Sequence, residues 1–181
     1  SGTRRLRIGL QIPRAGTFDG KVWGDEILAE GIADALNELD IVESATVYTP
    51  VTIHSNLDLI VSFYPYPEML FVPEAANIWW LQAGLLRAQD FEQIHVALAL
   101  YDDILAAGAK PLLWLQQQGV ENPGLMLMGA DLLIYRPQPP DPRFAHDIVF
   151  VGNNNRTPEQ IEKYLVPLVP LGLKIYGSGW E

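Results

Sequence analysis

Short apolar blocks, separated by polar, glycine-rich or proline-rich segments, run along the whole chain and predict alternating strands and helices. Residues 6–12 and 57–63 are apolar runs of strand length, and the second is apolar at most positions, as in a parallel strand covered on both faces. A helix is predicted from about Asp25, because apolar residues recur every three or four positions at Leu28, Ile32, Leu36 and Leu39. Strands that alternate with helices predict an α/β fold with a parallel sheet.

The centre of the chain continues this alternation. Residues 101–108 predict a helix that ends at a glycine. Further apolar runs predict strands at residues 46–49, 77–82, 94–99, 110–115 and 125–128.

Aromatic residues and a histidine fall in or beside these predicted strands. Neighbouring residues of a strand point to opposite faces, so at least one of Trp79 and Trp80 belongs to the core. Together with Tyr64 and Tyr66 they can form stacking walls for a sugar, although a core position is the commoner role for each. His95 lies within an apolar run, which favours a buried histidine with a satisfied hydrogen bond over a catalytic one.

A proline-rich segment at residues 137–142 is typical of a stiff connector. We therefore predict a first domain at residues 4–137, a hinge at 138–146 and the start of a second domain at 147–181. A single β-α-β unit cannot cover its own sheet, so we expect the second domain to be incomplete.

That β-α-β unit has clear local signals. Residues 147–151 predict a strand, and Thr157, Pro158 and Gln160 together predict a helix start with a capping box. Gly172 is expected to end the helical segment, and residues 173–176 predict the second strand.

Composition and charge narrow the classes of function. The formal net charge of −10 disfavours a nucleic-acid partner, because such proteins neutralise phosphates with a basic face. Without cysteine there are no disulfides or thiolate sites, and the three histidines lack metal-ligand spacing. No apolar run approaches the roughly 18 residues of a membrane span. We expect a soluble, cytoplasmic protein with no transmembrane segment, whose first three residues resemble a cleavage remnant.

The loop after residues 147–151 is one candidate site. Backbone N–H groups at a helix start attract phosphate, and Gly152 allows a ligand to approach closely. Asn153 and Asn154 add amide donors, and Arg156 can form a bidentate pair with a diphosphate. A plain turn explains the same residues equally well, since a lone glycine is weak evidence.

The loop after the first predicted strand is another candidate. Gly16, Thr17, Trp23 and Gly24 lie between a strand and a helix, where open α/β folds bind substrates. Asp25 has two interpretations. It can cap the helix, contributing roughly 1 kcal/mol, or it can act as a general base toward a sugar hydroxyl. Capping is the commoner role.

Four stretches, in this order, resemble the GT-B glycosyltransferases, especially their spore-maturation CgeB-like group. The likeness extends from about residue 6 to the end of the chain, and it depends on the order and spacing of the stretches. They are Trp23-Gly-Asp-Glu-Ile-Leu-Ala-Glu30, Gly129-Ala-Asp-Leu-Leu-Ile-Tyr-Arg-Pro137, Asp147-Ile-Val-Phe-Val-Gly152 and Leu173-Lys-Ile-Tyr-Gly-Ser-Gly-Trp180.

The resemblance implies two Rossmann-like domains with a cleft between them, the first for the acceptor and the second for the nucleotide-sugar donor. Residues 152–156 would approach the donor diphosphate, and residues 16–25 would line the acceptor side. The implied partners are a nucleotide sugar and a glycan, lipid-linked or protein acceptor. The family usually needs no catalytic metal, so we expect no metal and no other cofactor.

Two other functions remain open at this point: a non-catalytic Rossmann-like binding module, and an enzyme similar to a nucleotide-sugar epimerase. Fold analogy does not decide among them. In the family that the chain resembles, the second domain continues well past residue 181. We therefore expect the chain to be a fragment that is weak or inactive on its own.

Overall fold

The computed structural model describes residues 4–13, 24–52, 56–64, 69–82, 91–132, 135–154 and 156–180; at 91–94 and 97 it describes the backbone alone. The chain divides into two compact units, Ser1–Asp131 and Leu132–Glu181. The division lies upstream of the proline-rich segment that the sequence suggests as a connector.

The first unit is a parallel six-stranded sheet with helices, which confirms the predicted α/β class and is consistent with a Rossmann-like domain. The strand order is β2-β1-β3-β4-β5-β6, and every neighbouring pair is parallel. The strands are β1 (Leu6–Gln11), β2 (Val42–Tyr48), β3 (Leu59–Ser62), β4 (Ala76–Leu81), β5 (Asp103–Ala106) and β6 (Gly124–Leu125). The helices are α1 (Gly24–Asn37), α2 (Phe91–Leu100) and α3 (Ala109–Gln117).

Helix α1 packs on the sheet through small residues. Ala29 and Ala33 are buried one turn apart, and their small side chains permit a close approach of the helix to the strands. The predicted stripe flanks them, since Leu28, Ile32 and Leu36 are partly buried against the same cluster. Leu39 lies beyond the helix end and is 45% exposed.

Both faces of the sheet are buried, as a parallel sheet requires. Trp80 and Phe63 belong to the cluster under α1, where their rings meet edge to face at 5.2 Å. Trp79 belongs to a second cluster, which includes Leu115 of α3. Both tryptophans are fully buried. The core interpretation of this pair is therefore confirmed, with one indole on each face.

The predicted elements between residues 94 and 115 are wrong in type. The predicted strand at 94–99 lies in helix α2, the predicted helix at 101–108 contains strand β5, and the predicted strand at 110–115 lies in helix α3. Short apolar runs do not distinguish a buried strand from a buried helix. Here the long-range pairing of β5 with β4 determined which segment became the strand. Pro111 fits the first turn of α3, where its missing N–H costs no hydrogen bond.

His95 is exposed on helix α2, so the prediction of a buried core histidine is also wrong. The error follows from the misassigned strand. On a helix that covers one face of a sheet, an apolar neighbourhood in sequence still leaves some positions in solvent.

Two fully buried amides tie the segment before β4 to the sheet. Gln11 Nε2 donates to the Leu70 carbonyl at 2.9 Å, and the Leu70 N–H donates to Gln11 Oε1 at 2.7 Å. Asn77 Nδ2 donates to the carbonyls of Val72 and Ala75, each at 2.7 Å. Satisfied buried amides of this kind fix a loop that has no regular secondary structure of its own.

The second unit is one β-α-β arrangement with its own two-stranded parallel sheet. Thr157 accepts from the Gln160 N–H, and the Gln160 side chain accepts from the Thr157 N–H, which confirms the predicted capping box. Gly172 ends the helical segment in a left-handed conformation, as predicted. Its elements are β7 (Val149–Val151), α4 (Pro158–Tyr164), a 3-10 helix at Val166–Leu171 and β8 (Lys174–Tyr176).

The second half of the predicted hinge, residues 142–146, contacts strand β8. A short 3-10 helix spans Pro142–Phe144, and the His146 ring lies 2.8 Å from the Tyr176 hydroxyl. The Tyr176 hydroxyl also donates to the Arg143 carbonyl at 3.3 Å. Residues 142–146 therefore belong to the second unit, and hinge motion stays a prediction.

Candidate functional site

The carboxyl edge of the six-stranded sheet is the candidate ligand site of the first unit. From β1 the chain passes to β2 on one side, and β3 lies on the other side of β1. A crevice opens outside the carboxyl ends of the strands at such a reversal, and open α/β proteins bind ligands there. Tyr64 follows β3 and Gln82 follows β4 at this edge, and Asp25 lies in the first turn of the helix that follows β1.

Asp25 is held by a tyrosine at this edge. The Tyr64 hydroxyl donates to Asp25 Oδ2 at 3.0 Å, and Asp25 is half-buried. The Tyr101 hydroxyl in turn donates to the Tyr64 carbonyl at 3.4 Å. Asp25 is the second residue of α1, so it lies inside the first turn and does not flank it, unlike an N-cap. This hydrogen bond holds a carboxylate at the carboxyl edge of the sheet.

The other residues predicted on this loop fall into two groups. Gly24 is exposed, and no described atom lies within 4 Å of a side chain built there. Gly16, Thr17 and Trp23 lie outside the described residues. The structure therefore places Asp25 and Gly24 side by side at the start of α1 and leaves the remaining cleft assignments as predictions.

Sequence reasoning missed two residues at this edge. Tyr64 was predicted only as a stacking or core aromatic, and its contact joins residues 39 apart in sequence. Gln82 carries no local sequence signal, yet its Nε2 is buried with no hydrogen-bond partner among the described residues. No local pattern identifies either one, because both roles depend on which strands become neighbours.

The glycine loop of the second unit pairs with the loop after β8. The Gly152 N–H donates to the Tyr176 carbonyl at 2.8 Å, and the Asn154 N–H donates to the Ser178 carbonyl at 2.9 Å. In return the Ser178 N–H donates to Asn153 Oδ1 at 3.0 Å, and the Trp180 indole N–H donates to the Gly152 carbonyl at 2.8 Å. Two amides that the sequence suggests for phosphate are thus engaged within the protein.

Glycines make this close pairing possible. A side chain built at Gly177 would place its Cβ 2.1 Å from the Gly152 carbonyl oxygen, and Gly177 has a positive φ of 152°. A Cβ at Gly152 would lie 3.1 Å from the Phe150 ring. The close approach of the two loops therefore explains the glycine at 177, while the positive φ of 157° and the nearby Phe150 ring favour a glycine at 152.

Backbone N–H groups at the start of helix α4 are hydrogen-bonded to side chains of the same segment. Thr157 and Gln160 use each other's N–H groups in the capping box. A hydrogen bond from the Thr157 hydroxyl, with a second from its own backbone N–H, holds the pKa of the Glu159 carboxyl below its ordinary value. A carboxylate in the first turn uses the positive end of the helix and disfavours a second anion. The Thr157 and Gln160 N–H groups are therefore used within the protein, and phosphate binding at this loop stays a prediction.

Arg156 remains available for charge recognition. Its guanidinium carbon lies 4.5 Å from the centre of the Phe150 ring, and its Nη1 donates weakly to the Asn153 carbonyl at 3.5 Å. Stacking on an aromatic ring orients the planar group while its N–H edge can still bind oxygen atoms. The diphosphate assignment stays a prediction that depends on Arg156 and the side chains of Asn153 and Asn154.

Comparison with known proteins adds no family. No model of a known protein family matches the chain, and a search of curated proteins finds no match either. Among the described residues, no helix is both long and apolar enough to cross a membrane. The likeness to GT-B glycosyltransferases therefore rests on the motifs quoted above.

Proposed function

We propose that this chain carries the acceptor-side domain, and the first elements of the donor-side domain, of a GT-B glycosyltransferase that uses a nucleotide sugar. The observation that carries the proposal is the Asp25 carboxylate, held at 3.0 Å by the Tyr64 hydroxyl at the carboxyl edge of the sheet. A general base must be fixed within hydrogen-bond reach of the proton that it removes.

The chemistry assigns Asp25 the role of general base. Asp25 accepts the proton of an acceptor hydroxyl as the hydroxyl oxygen bonds to the anomeric carbon of the donor sugar. The bond between that carbon and the diphosphate breaks, and the diphosphate leaves with the electron pair. Tyr64 keeps one carboxylate oxygen in place, which orients the other toward the substrate.

Within the second unit, we assign recognition of the donor diphosphate to Arg156, as the resemblance implies. A guanidinium forms short, charge-assisted hydrogen bonds with phosphate oxygens, and stacking on Phe150 orients it in advance. The acceptor in this proposal is a glycan, a lipid-linked glycan or a protein. The proposed location is the cytoplasm, which agrees with a sequence free of cysteine.

The test compares two substitutions on the same helix in the protein that carries this chain. Nucleoside diphosphate release from UDP-, GDP- and dTDP-sugars is measured for the parent protein, Asp25→Asn and Asp34→Asn. Removing a general base costs roughly 10²- to 10⁴-fold in rate, so Asp25→Asn should lose turnover on that scale. Asp34 is exposed on α1, so its variant should retain the parent rate.

Two results would replace the proposal. A nucleotide sugar that is isomerised without diphosphate release would establish an epimerase. Binding without turnover of any of these sugars would establish a non-catalytic binding module. Equal rates for both aspartate variants would remove Asp25 from the chemistry.

A further inference from the structure

The backbone of Tyr64 is anchored just beyond the end of β3. The Phe63 N–H donates to the Gln11 carbonyl at 3.0 Å, which extends the pairing of β3 with β1 by one residue. Phe63 is fully buried, and its ring meets Trp80 edge to face at 5.2 Å. Tyr64 therefore leaves the sheet from a defined point, and it is partly buried against the cluster under α1.

Tyr101 reaches Tyr64 from the cluster on the other face of the sheet. It follows α2 directly, and its ring centre lies 6.1 Å from that of the fully buried Trp79. Trp79 and Tyr101 belong to the second cluster, whereas Tyr64 packs against the first. The Tyr101 hydroxyl donates to the Tyr64 carbonyl at 3.4 Å, across 37 positions of sequence. The Tyr64 backbone is therefore contacted from both faces.

A fixed backbone at Tyr64 determines where its hydroxyl lies. A tyrosine side chain has two torsions that occupy a few discrete values, so a small shift of its backbone is carried to the hydroxyl. That hydroxyl donates to Asp25 Oδ2 at 3.0 Å. A catalytic group that is misplaced by about 1 Å can lose roughly 10²-fold in rate. Tyr101 thus acts at a distance on the position of the carboxylate.

We propose that Tyr101 is a positioning residue for Asp25 and acts through Tyr64. The inference rests on the proposed function, because only there is Asp25 the general base. Tyr101 holds the Tyr64 carbonyl, Tyr64 holds one oxygen of the Asp25 carboxylate, and the other oxygen accepts the proton of the acceptor hydroxyl. Tyr101 itself contacts no reacting atom.

Carboxylate NMR reports on Asp25 without any turnover. The protein that carries this chain is labelled with aspartate enriched in ¹³C at Cγ, and the Asp25 signal is assigned by its loss in Asp25→Asn. We expect the signal to shift in Tyr64→Phe, which removes the donor, and to shift by a smaller amount in Tyr101→Phe. Tyr164 is the matched control, because it is exposed on α4, and Tyr164→Phe should leave the signal in place.

Kinetics of a double variant separate positioning from packing. Loss of one neutral hydrogen bond changes a rate by roughly two- to tenfold, so Tyr101→Phe should lower kcat on that scale. KM should stay at the parent value, since the contact orients the base and binds no substrate. Adding Tyr101→Phe to Tyr64→Phe should cost nothing further, because both changes act on the same contact with Asp25. Tyr101→Phe keeps the ring beside Trp79, and a thermal melt checks that each variant is folded.

The outcomes distinguish this inference from the function on which it rests. An Asp25 signal that is unmoved in Tyr101→Phe, or losses in kcat that accumulate in the double variant, would overturn it. Transfer that requires Asp25 and keeps the parent rate in Tyr101→Phe would overturn it and leave the glycosyltransferase in place. An Asp25 signal that shifts in both tyrosine variants, without nucleotide-sugar turnover, would establish the link from Tyr101 to Asp25 and remove the transferase.

Discussion

Single side chains of the first unit act mainly by pairing with groups distant in sequence. Asp58, just before β3, accepts the Arg7 backbone N–H at 2.8 Å and forms ion pairs with the Arg4 and Arg7 guanidinium groups. The backbone hydrogen bond from Arg7 holds the pKa of the Asp58 carboxyl below its ordinary value of 3.8, and the two guanidinium groups act in the same direction. One carboxylate therefore links the start of β1 to the start of β3.

The pH dependence of stability follows from the direction of that shift. A lowered folded-state pKa means that the ionised carboxylate favours the folded state. Its contribution is present above about pH 3.8 and is lost as the pH falls through the lower folded value. We expect Asp58→Asn to lower Tm at pH 7, with the difference from the parent shrinking below pH 3.8. Asp34→Asn, exposed on α1, should track the parent; a constant Asp58 deficit at every pH would contradict the assignment.

At the scale of elements, the second unit is organised by two loops that pair where its strands end. The loop after β7 and the loop after β8 exchange backbone and side-chain hydrogen bonds through Gly152, Asn154 and Ser178. Arg156 is held over Phe150 in the same region. Stability and any recognition of a ligand by this unit therefore depend on the same few residues.

Gly177→Ala tests the loop pairing. The added Cβ would lie 2.1 Å from the Gly152 carbonyl oxygen, and the positive φ strains any other residue, so the two loops must separate. We expect a loss of roughly 1–3 kcal/mol in unfolding free energy, measured by urea denaturation. Gly129→Ala is the matched control, because no described atom lies within 4 Å of the added Cβ. Equal stability of the two variants would show that the loops do not need the close approach.

Arg156→Ala tests the diphosphate assignment. Loss of a charged hydrogen bond should weaken binding of UDP or GDP by roughly 1.5–3 kcal/mol, measured by isothermal titration. Arg143 is the matched control, since it is exposed and already paired with Asp141 in the same unit. Unchanged affinity in Arg156→Ala, or equal losses in both variants, would return the glycine loop to a purely structural turn. A thermal melt of each variant separates binding from folding.

At the scale of the whole molecule, local signals predicted the fold class better than the individual elements. The apolar stripe of α1, the capping box at Thr157 and the glycine stop at 172 all come from residues within a few positions of one another. The capping box and the glycine stop involve no distant residue, whereas the stripe of α1 is buried only against the sheet. The α/β class and the parallel sheet follow from their alternation.

The sequence by itself thus determined the class, the capped start of α4, and the strand-loop-helix settings of Asp25 and Arg156. Only the tertiary structure decided that 94–99 and 110–115 are helical, because pairing of β5 with β4 outweighs local preference. Tertiary packing also pairs the backbone N–H groups of Gly152 and Asn154 with carbonyl groups of the neighbouring loop. It brings the Tyr64 hydroxyl to the Asp25 carboxylate, and it leaves Gln82 Nε2 without a hydrogen-bond partner among the described residues. These outcomes depend on which strands become neighbours, and that is settled by burial of both sheet faces across the whole unit.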